Sequence, residues 1–145
     1  FLVLVFTQIV IGAFVSGMDA GKIYNSWPLM GETYFPSDNS LSNLLKLSAF
    51  SDPSLVQFIH RNLAYIITIF YLCILFKIYK ERIYLLYKSI GILGFFIFLQ
   101  IVLGVLTVLH GAQLYLAAMH QLSSVFLVSA SVYFLFINQK SNQLL

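Results

Sequence analysis

Long apolar runs separated by three polar connections set the pattern of this chain. Residues 1–18, 55–78, 90–110 and 114–137 are almost unbroken apolar sequence, each close to or above the roughly 20 residues that a helix needs to cross a bilayer. The pattern predicts an all-α integral membrane fold, a single four-transmembrane-helix bundle. The third and fourth runs are separated by only a few residues around Gly111 and Gln113, which predicts a tight antiparallel hairpin. The second and third are joined by the basic segment KIYKERIYLLYK. The first and second are joined by residues 19–54, where Asp19, Glu32, Asp38 and Asp52 stand against Lys22 and Lys46. Within that loop PSDNS reads as a turn and cap region. LSNLLKLSAF reads as a short amphipathic helix lying on the membrane surface, with Leu41, Leu44, Leu45 and Phe50 on one side. No internal repeat is visible.

Composition narrows the class further. The 145 residues are 60% hydrophobic and 9% charged, with a mean hydropathy of +0.90; soluble domains have about 45–50% apolar and about 25% charged residues. A globule this small could not hide so much apolar surface from water, so a soluble enzyme is excluded. The net charge of +3 is not a nucleic-acid signal, because Lys77, Lys80, Arg82 and Lys88 gather in one connection. Such a cluster marks the cytoplasmic or matrix side. Lys140 agrees, which places both chain ends inside and the 19–54 loop outside, in a bacterial or mitochondrial inner membrane. Cys73 is the only cysteine, so neither an internal disulfide nor a two-cysteine haem attachment is available. The chain starts at Phe1 directly in an apolar run, and it reads as a piece of a longer protein.

Strongly polar side chains cost about 2.5–3.5 kcal/mol when placed in hydrocarbon, so those inside the runs invite a functional reading. They are Gln57, His60 and Arg61 in the second run, Gln100 in the third, His110 at its end, and His120 and Gln121 in the fourth. His60 and His120 each lie about six residues into runs that point the same way, about 9 Å below the outer boundary. Two imidazoles at equal depth are placed to clamp a flat ligand, and a bis-histidine haem is the obvious one. A bare metal would need further ligands. Small residues beside the histidines (Ala64, Ala117, Ser124 and Ser131) would let helices approach a planar ring. Arg61 is placed to pair with a propionate or to reach lipid phosphate. From spacing alone, interhelical hydrogen bonding and a proton path compete with the haem. His110 is a shallower competing ligand, better suited to the bundle entrance. Gln8 and Gln100 are expected to satisfy backbone or partner polar groups.

Two stretches carry a resemblance. QIVIGAFVSGMDAGKIYNSWPLMGETYFP runs from the first apolar run into the outer loop. QFIHR opens the second run, with HQ as its counterpart in the fourth and QIVLGVLTVL before it in the third. Together they resemble the carboxy-terminal half of haem A synthase, the membrane enzyme that oxidises a methyl group of haem O to the formyl group of haem A. The pattern rests on Gly12, Ala13, Val15, Gly17, Ala20, Gly21, Tyr24, Asn25, Trp27, Pro28, Leu29 and Met30, and the likeness covers nearly the whole chain.

The resemblance implies half of an eight-helix, pseudo-symmetric protein made of two similar bundles. This half would bind haem B for electron transfer, with His60 and His120 as axial iron ligands and Arg61 and Gln121 completing the cofactor-binding set. The haem O site and the catalytic glutamate would lie in the amino-terminal half, so Glu32 inherits no role and this piece alone should be inactive. The absence of loop cysteines resembles the branch found in mitochondria and related bacteria. Haem O, the amino-terminal half, haem O synthase, cytochrome c oxidase assembly and the lipid bilayer are the implied partners. The alternatives are a stand-alone four-helix b-type cytochrome and a bundle whose histidines only hydrogen-bond.

Overall fold

The computed structural model describes residues 1–143 and is entirely helical apart from its loops and an isolated bridge between Met30 and Thr33. The helices are α1 (Leu2–Gly17), α2 (Leu41–Leu44), α3 (Pro53–Lys80), α4 (Tyr87–Leu109) and α5 (Leu114–Gln143), with 3-10 turns at Ala20–Lys22, Leu47–Ser51 and Tyr84–Leu86. Among the described residues three helices are long and apolar enough to cross a membrane: α3, α4 with the turn before it, and α5. α1 is apolar but has 16 residues, about 24 Å at 1.5 Å per residue, short of a hydrocarbon core of about 30 Å.

Local chemistry fixes the helix ends. Asp52 caps α3, its Oδ1 accepting the Leu55 amide at 3.0 Å, and Pro53 occupies the first helical position, where its missing N–H costs nothing. Lys77 and Lys80 stand in the last turn of α3, favourable against the carbonyl end of the dipole. Arg82 then takes a left-handed conformation (φ 54°) and the chain reverses into α4. The α4–α5 turn is built the same way, from Gly111 and Ala112 at φ 64° and 56°.

α1 packs on α3, α3 on α4, α4 most extensively on α5, and α5 back on α1. The helices therefore form a ring in which α3 and α5 are diagonal. Each connection reverses direction, so this diagonal pair runs in parallel. A tight apolar core closes one end of the ring. It unites Val5 of α1, Ile78 of α3, Leu86 of the connection, Ile90, Leu93 and Ile97 of α4, and Leu127 and Ala130 of α5. At the opposite end the 18–52 loop folds over the bundle and buries Ala20, Met30 and Ala49 there, beside Leu55 and Val56 of α3.

The LSNLLKLSAF segment departs from expectation. Only Leu41–Leu44 is α-helical; Lys46 is extended (ψ 148°) and Leu47–Ser51 is a 3-10 turn. Leu41, Leu45 and Leu47 are 67%, 91% and 86% exposed. So short a helix needs a partner for its apolar stripe, and within the chain these leucines have none.

Candidate functional site

His60 lies seven residues after the start of α3 and His120 six after the start of α5, about 10 Å and about 9 Å along their helices. The parallel diagonal pair therefore carries its imidazoles at matching depth, between the roofing loop and the closed apolar end. Both rings are half-buried, and the Nδ1 atom of each is buried with no hydrogen-bond partner. Buried polar atoms of this kind are nearly always satisfied, so two orphaned ring nitrogens in one layer point to a ligand.

Each histidine is backed in the same way by the helix beside it. On α1, the Gln8 amide Nε2 donates to the His60 carbonyl at 3.0 Å, and also lies 3.2 Å from His60 Nε2. On α4, Gln100 Nε2 donates to the His120 carbonyl at 3.0 Å and to Ser123 Oγ at 2.6 Å. Four residues on from each glutamine is a glycine. A methyl group at Gly12 would meet His60 Cε1 at 3.1 Å, and one at Gly104 would meet His120 Cε1 at the same distance. The intervening Ile11 and Leu103 are both buried. The two backing segments read Gln-Ile-Val-Ile-Gly (8–12) and Gln-Ile-Val-Leu-Gly (100–104), which corrects the expectation that the chain contains no repeat. The signal was a match at four of five positions inside apolar sequence, where Ile, Val and Leu recur everywhere and only the shared contact to a histidine gives it meaning.

The roof is fastened to α3. Arg61 is buried, and its guanidinium donates from Nη1 to the carbonyls of Ser26 (2.8 Å) and Leu29 (3.2 Å) and from Nη2 to that of Tyr24 (2.9 Å). Its Nε has no partner. One turn earlier, buried Gln57 donates to the same Tyr24 carbonyl at 3.0 Å. Ser26 holds the turn beyond, donating to the Leu29 carbonyl and accepting from the Gly31 amide, with Gly31 at φ 75°. Trp27 Nε1 donates to Tyr65 and Tyr34 to Asn62 Oδ1, so the Tyr24–Met30 motif is a strap stitched along α3. Farther out, partial burial pushes the Asp38 carboxyl up, but hydrogen bonds from Ser54, Tyr24 and Asn39 outweigh that and leave it below its ordinary value.

The other polar residues sit apart from the histidine layer. Gln121 is exposed, one residue beyond His120. His110 is exposed at the α4 C-terminus, with Nδ1 2.9 Å from the Leu106 carbonyl of its own helix. Glu32 is exposed in the loop. Ser124 and Ser131 donate back to carbonyls of α5. Among the described residues no three His, Cys, Asp or Glu side chains cluster to hold a bare metal ion. The donor set is thus two imidazoles across an apolar ring, a pair able to take the two faces of a planar metal complex.

A family model described as COX15-CtaA, cytochrome oxidase assembly protein, matches residues 1–132. Haem A synthase of Pelagibacter ubique (strain HTCC1062) is 40% identical over 144 residues, covering 97% of this chain and 41% of that protein. Haem A synthases of Rickettsia bellii (strain RML369-C) and Rickettsia africae (strain ESF-5) are 34% identical over 132 residues and 33% identical over 144, covering 91% and 97% of this chain and 39% and 41% of theirs. The chain thus spans about two fifths of the length of the curated relatives it matches. No solved structure matches it.

Proposed function

Because the chain belongs to the COX15-CtaA family of cytochrome oxidase assembly proteins, we propose that it is the cofactor-binding half of a haem A synthase, holding haem B between His60 and His120. The observation that carries this reading is the pair of orphaned Nδ1 atoms, one on each of two parallel, diagonal helices. The residues fit the group: the imidazoles are matched in depth, and glycines rather than side chains back both rings. Bound there, a haem supplies a one-electron redox centre whose potential its two imidazoles help to set.

The chain's own residues then bind and orient. His60 and His120 would hold the haem iron. Arg61 keeps the Tyr24–Leu29 strap over the site, and its unpartnered Nε–H would be available to a propionate carboxylate. Gln121, exposed one residue beyond His120, would join the cofactor-binding set on the family resemblance alone. The apolar closed end, centred on Leu93 and Ile97, keeps water from the far side of the layer.

The family resemblance supplies the rest of the proposal. The whole enzyme would oxidise a methyl group of haem O to the formyl group of haem A. The substrate site would lie in an amino-terminal half arranged as a second four-helix bundle, and this half would carry electrons away. On this reading the single domain is residues 1–145, with α1 as the fourth span and the 19–54 loop outside the bacterial or mitochondrial inner membrane. Haem O synthase and the assembly of cytochrome c oxidase are the neighbouring steps.

The test is a reduced-minus-oxidised visible spectrum of the detergent-purified chain loaded with haem B, beside His60→Ala and His120→Ala. The expected result is a low-spin b-type spectrum lost in both variants. A low-spin spectrum that persists in either one would overturn the assignment of the ligands.

A further inference from the structure

Gln8 and Gln100 stand on different helices, 92 positions apart in the chain, and make the same contact. Each donates from Nε2 to the backbone carbonyl of a histidine on the neighbouring antiparallel helix, at 3.0 Å in both cases. Residues four apart share a helix face, so the face that presents the amide also presents Gly12 or Gly104 to the edge of the imidazole. The amide sets the height of the histidine's turn against its neighbour, and the glycine sets how closely the ring approaches. The carbonyl of residue 60 lies within α3, so Gln8 uses its second lone pair and leaves the helix intact; the His120 carbonyl accepts from Ser123 Oγ at 2.9 Å as well as from Gln100.

The two units differ in one respect. Three residues after His120 is Ser123, which takes the second amide hydrogen of Gln100. Three residues after His60 is Leu63, which can take none, and the Gln8 amide lies instead beside the ring nitrogen of His60.

We propose that Gln8 and Gln100, each with the glycine four residues on, are positioning residues that fix the height and ring plane of His60 and His120. The proposal rests on the reading of the histidines as haem ligands. Neither glutamine touches the iron; each acts through its histidine. Groups that hydrogen-bond the second ring nitrogen of a metal-bound histidine change affinity by about 10–100-fold when removed, and contacts that hold the histidine's own turn are expected to act at the lower end of that range.

The test uses the full chain loaded with haem B in detergent and compares Gln8→Leu, Gln100→Leu, Gly12→Ala and Gly104→Ala with the unaltered chain. Gly17→Ala and Gly91→Ala are controls, because a methyl group at either position meets nothing within 4 Å. Alanine is a better helix former than glycine, so the alanine variants keep their helices, and circular dichroism checks this. Haem affinity is read by titration, and the ferric low-spin g-values by electron paramagnetic resonance, because they respond to the relative planes of the two imidazoles.

The expected result is affinity lower by about tenfold or more and shifted g-values in the four test variants, with both controls like the unaltered chain. Unchanged affinity and g-values in all four, while His60→Ala and His120→Ala lose the spectrum, would overturn the positioning role and leave the haem reading standing. Equal effects in the controls would overturn it too, since general helix packing would then be the cause. A low-spin spectrum that survives both histidine substitutions would overturn the haem reading, and the positioning role with it.

Discussion

At the scale of single residues, the arginine beside His60 has a structural duty as well as a proposed one. Arg61 meets three strap carbonyls with a planar fork, a geometry that lysine cannot copy. Arg61→Met should therefore loosen residues 24–30, destabilising the roof by about 1–3 kcal/mol, the cost of leaving buried hydrogen-bonding groups unpaired. Limited proteolysis is the check: cleavage in the 19–40 loop should be faster, with helix content by circular dichroism unchanged. The polar residues of the site were legible in the sequence because each stands out in hydrocarbon. Their partners were not. Nothing in QFIHR says that the arginine turns to the backbone of Tyr24, Ser26 and Leu29, since carbonyl acceptors leave no mark on composition. Gln8 and Gln100 were expected to satisfy backbone groups, and they do, but that the groups belong to the two histidines needed the helix neighbours to be known.

At the scale of elements, apolar length was the reliable signal. α3, α4 and α5 follow from runs that nothing but a helix could satisfy inside a bilayer, and α3 begins two residues ahead of its apolar run, at Pro53 behind the Asp52 cap. The outer segment departs from its expected helix because only part of its apolar stripe finds a partner, Phe50 beside Phe14 and Ala49 in the roof, while Leu41, Leu45 and Leu47 find none; the chain breaks into one α turn and one 3-10 turn. Leu45 and Leu47 stand exposed just ahead of α3 with Lys46 between them, and a segment lying on the bilayer surface would sink both into its boundary. A nitroxide at Leu45→Cys in a Cys73→Ser background, reconstituted in lipid, should be reached more readily by oxygen than by a water-soluble nickel relaxant. The opposite ranking would put the segment in water.

At the scale of the whole molecule, packing is uneven along the bundle axis. Buried apolar side chains from α1, α3, α4 and α5 meet at one end, while the histidine layer is half-open. Leu93, 0% exposed, lies in that core. Leu93→Ala should cost about 2–5 kcal/mol, read as a lower thermal unfolding midpoint in detergent. The ring order that makes α3 and α5 diagonal was beyond the reach of the sequence, because hydropathy gives the number of helices and their direction but not their neighbours. One consequence concerns movement. His60 and Arg61 are consecutive, about 100° apart on one turn of α3, and Arg61 carries the strap. Lifting the strap therefore pulls on the turn that aims the imidazole. Opening the mouth of the bundle and slackening its grip would then be one stroke of the same lever, and on the proposed reading a flat guest would not pass while it is still firmly held.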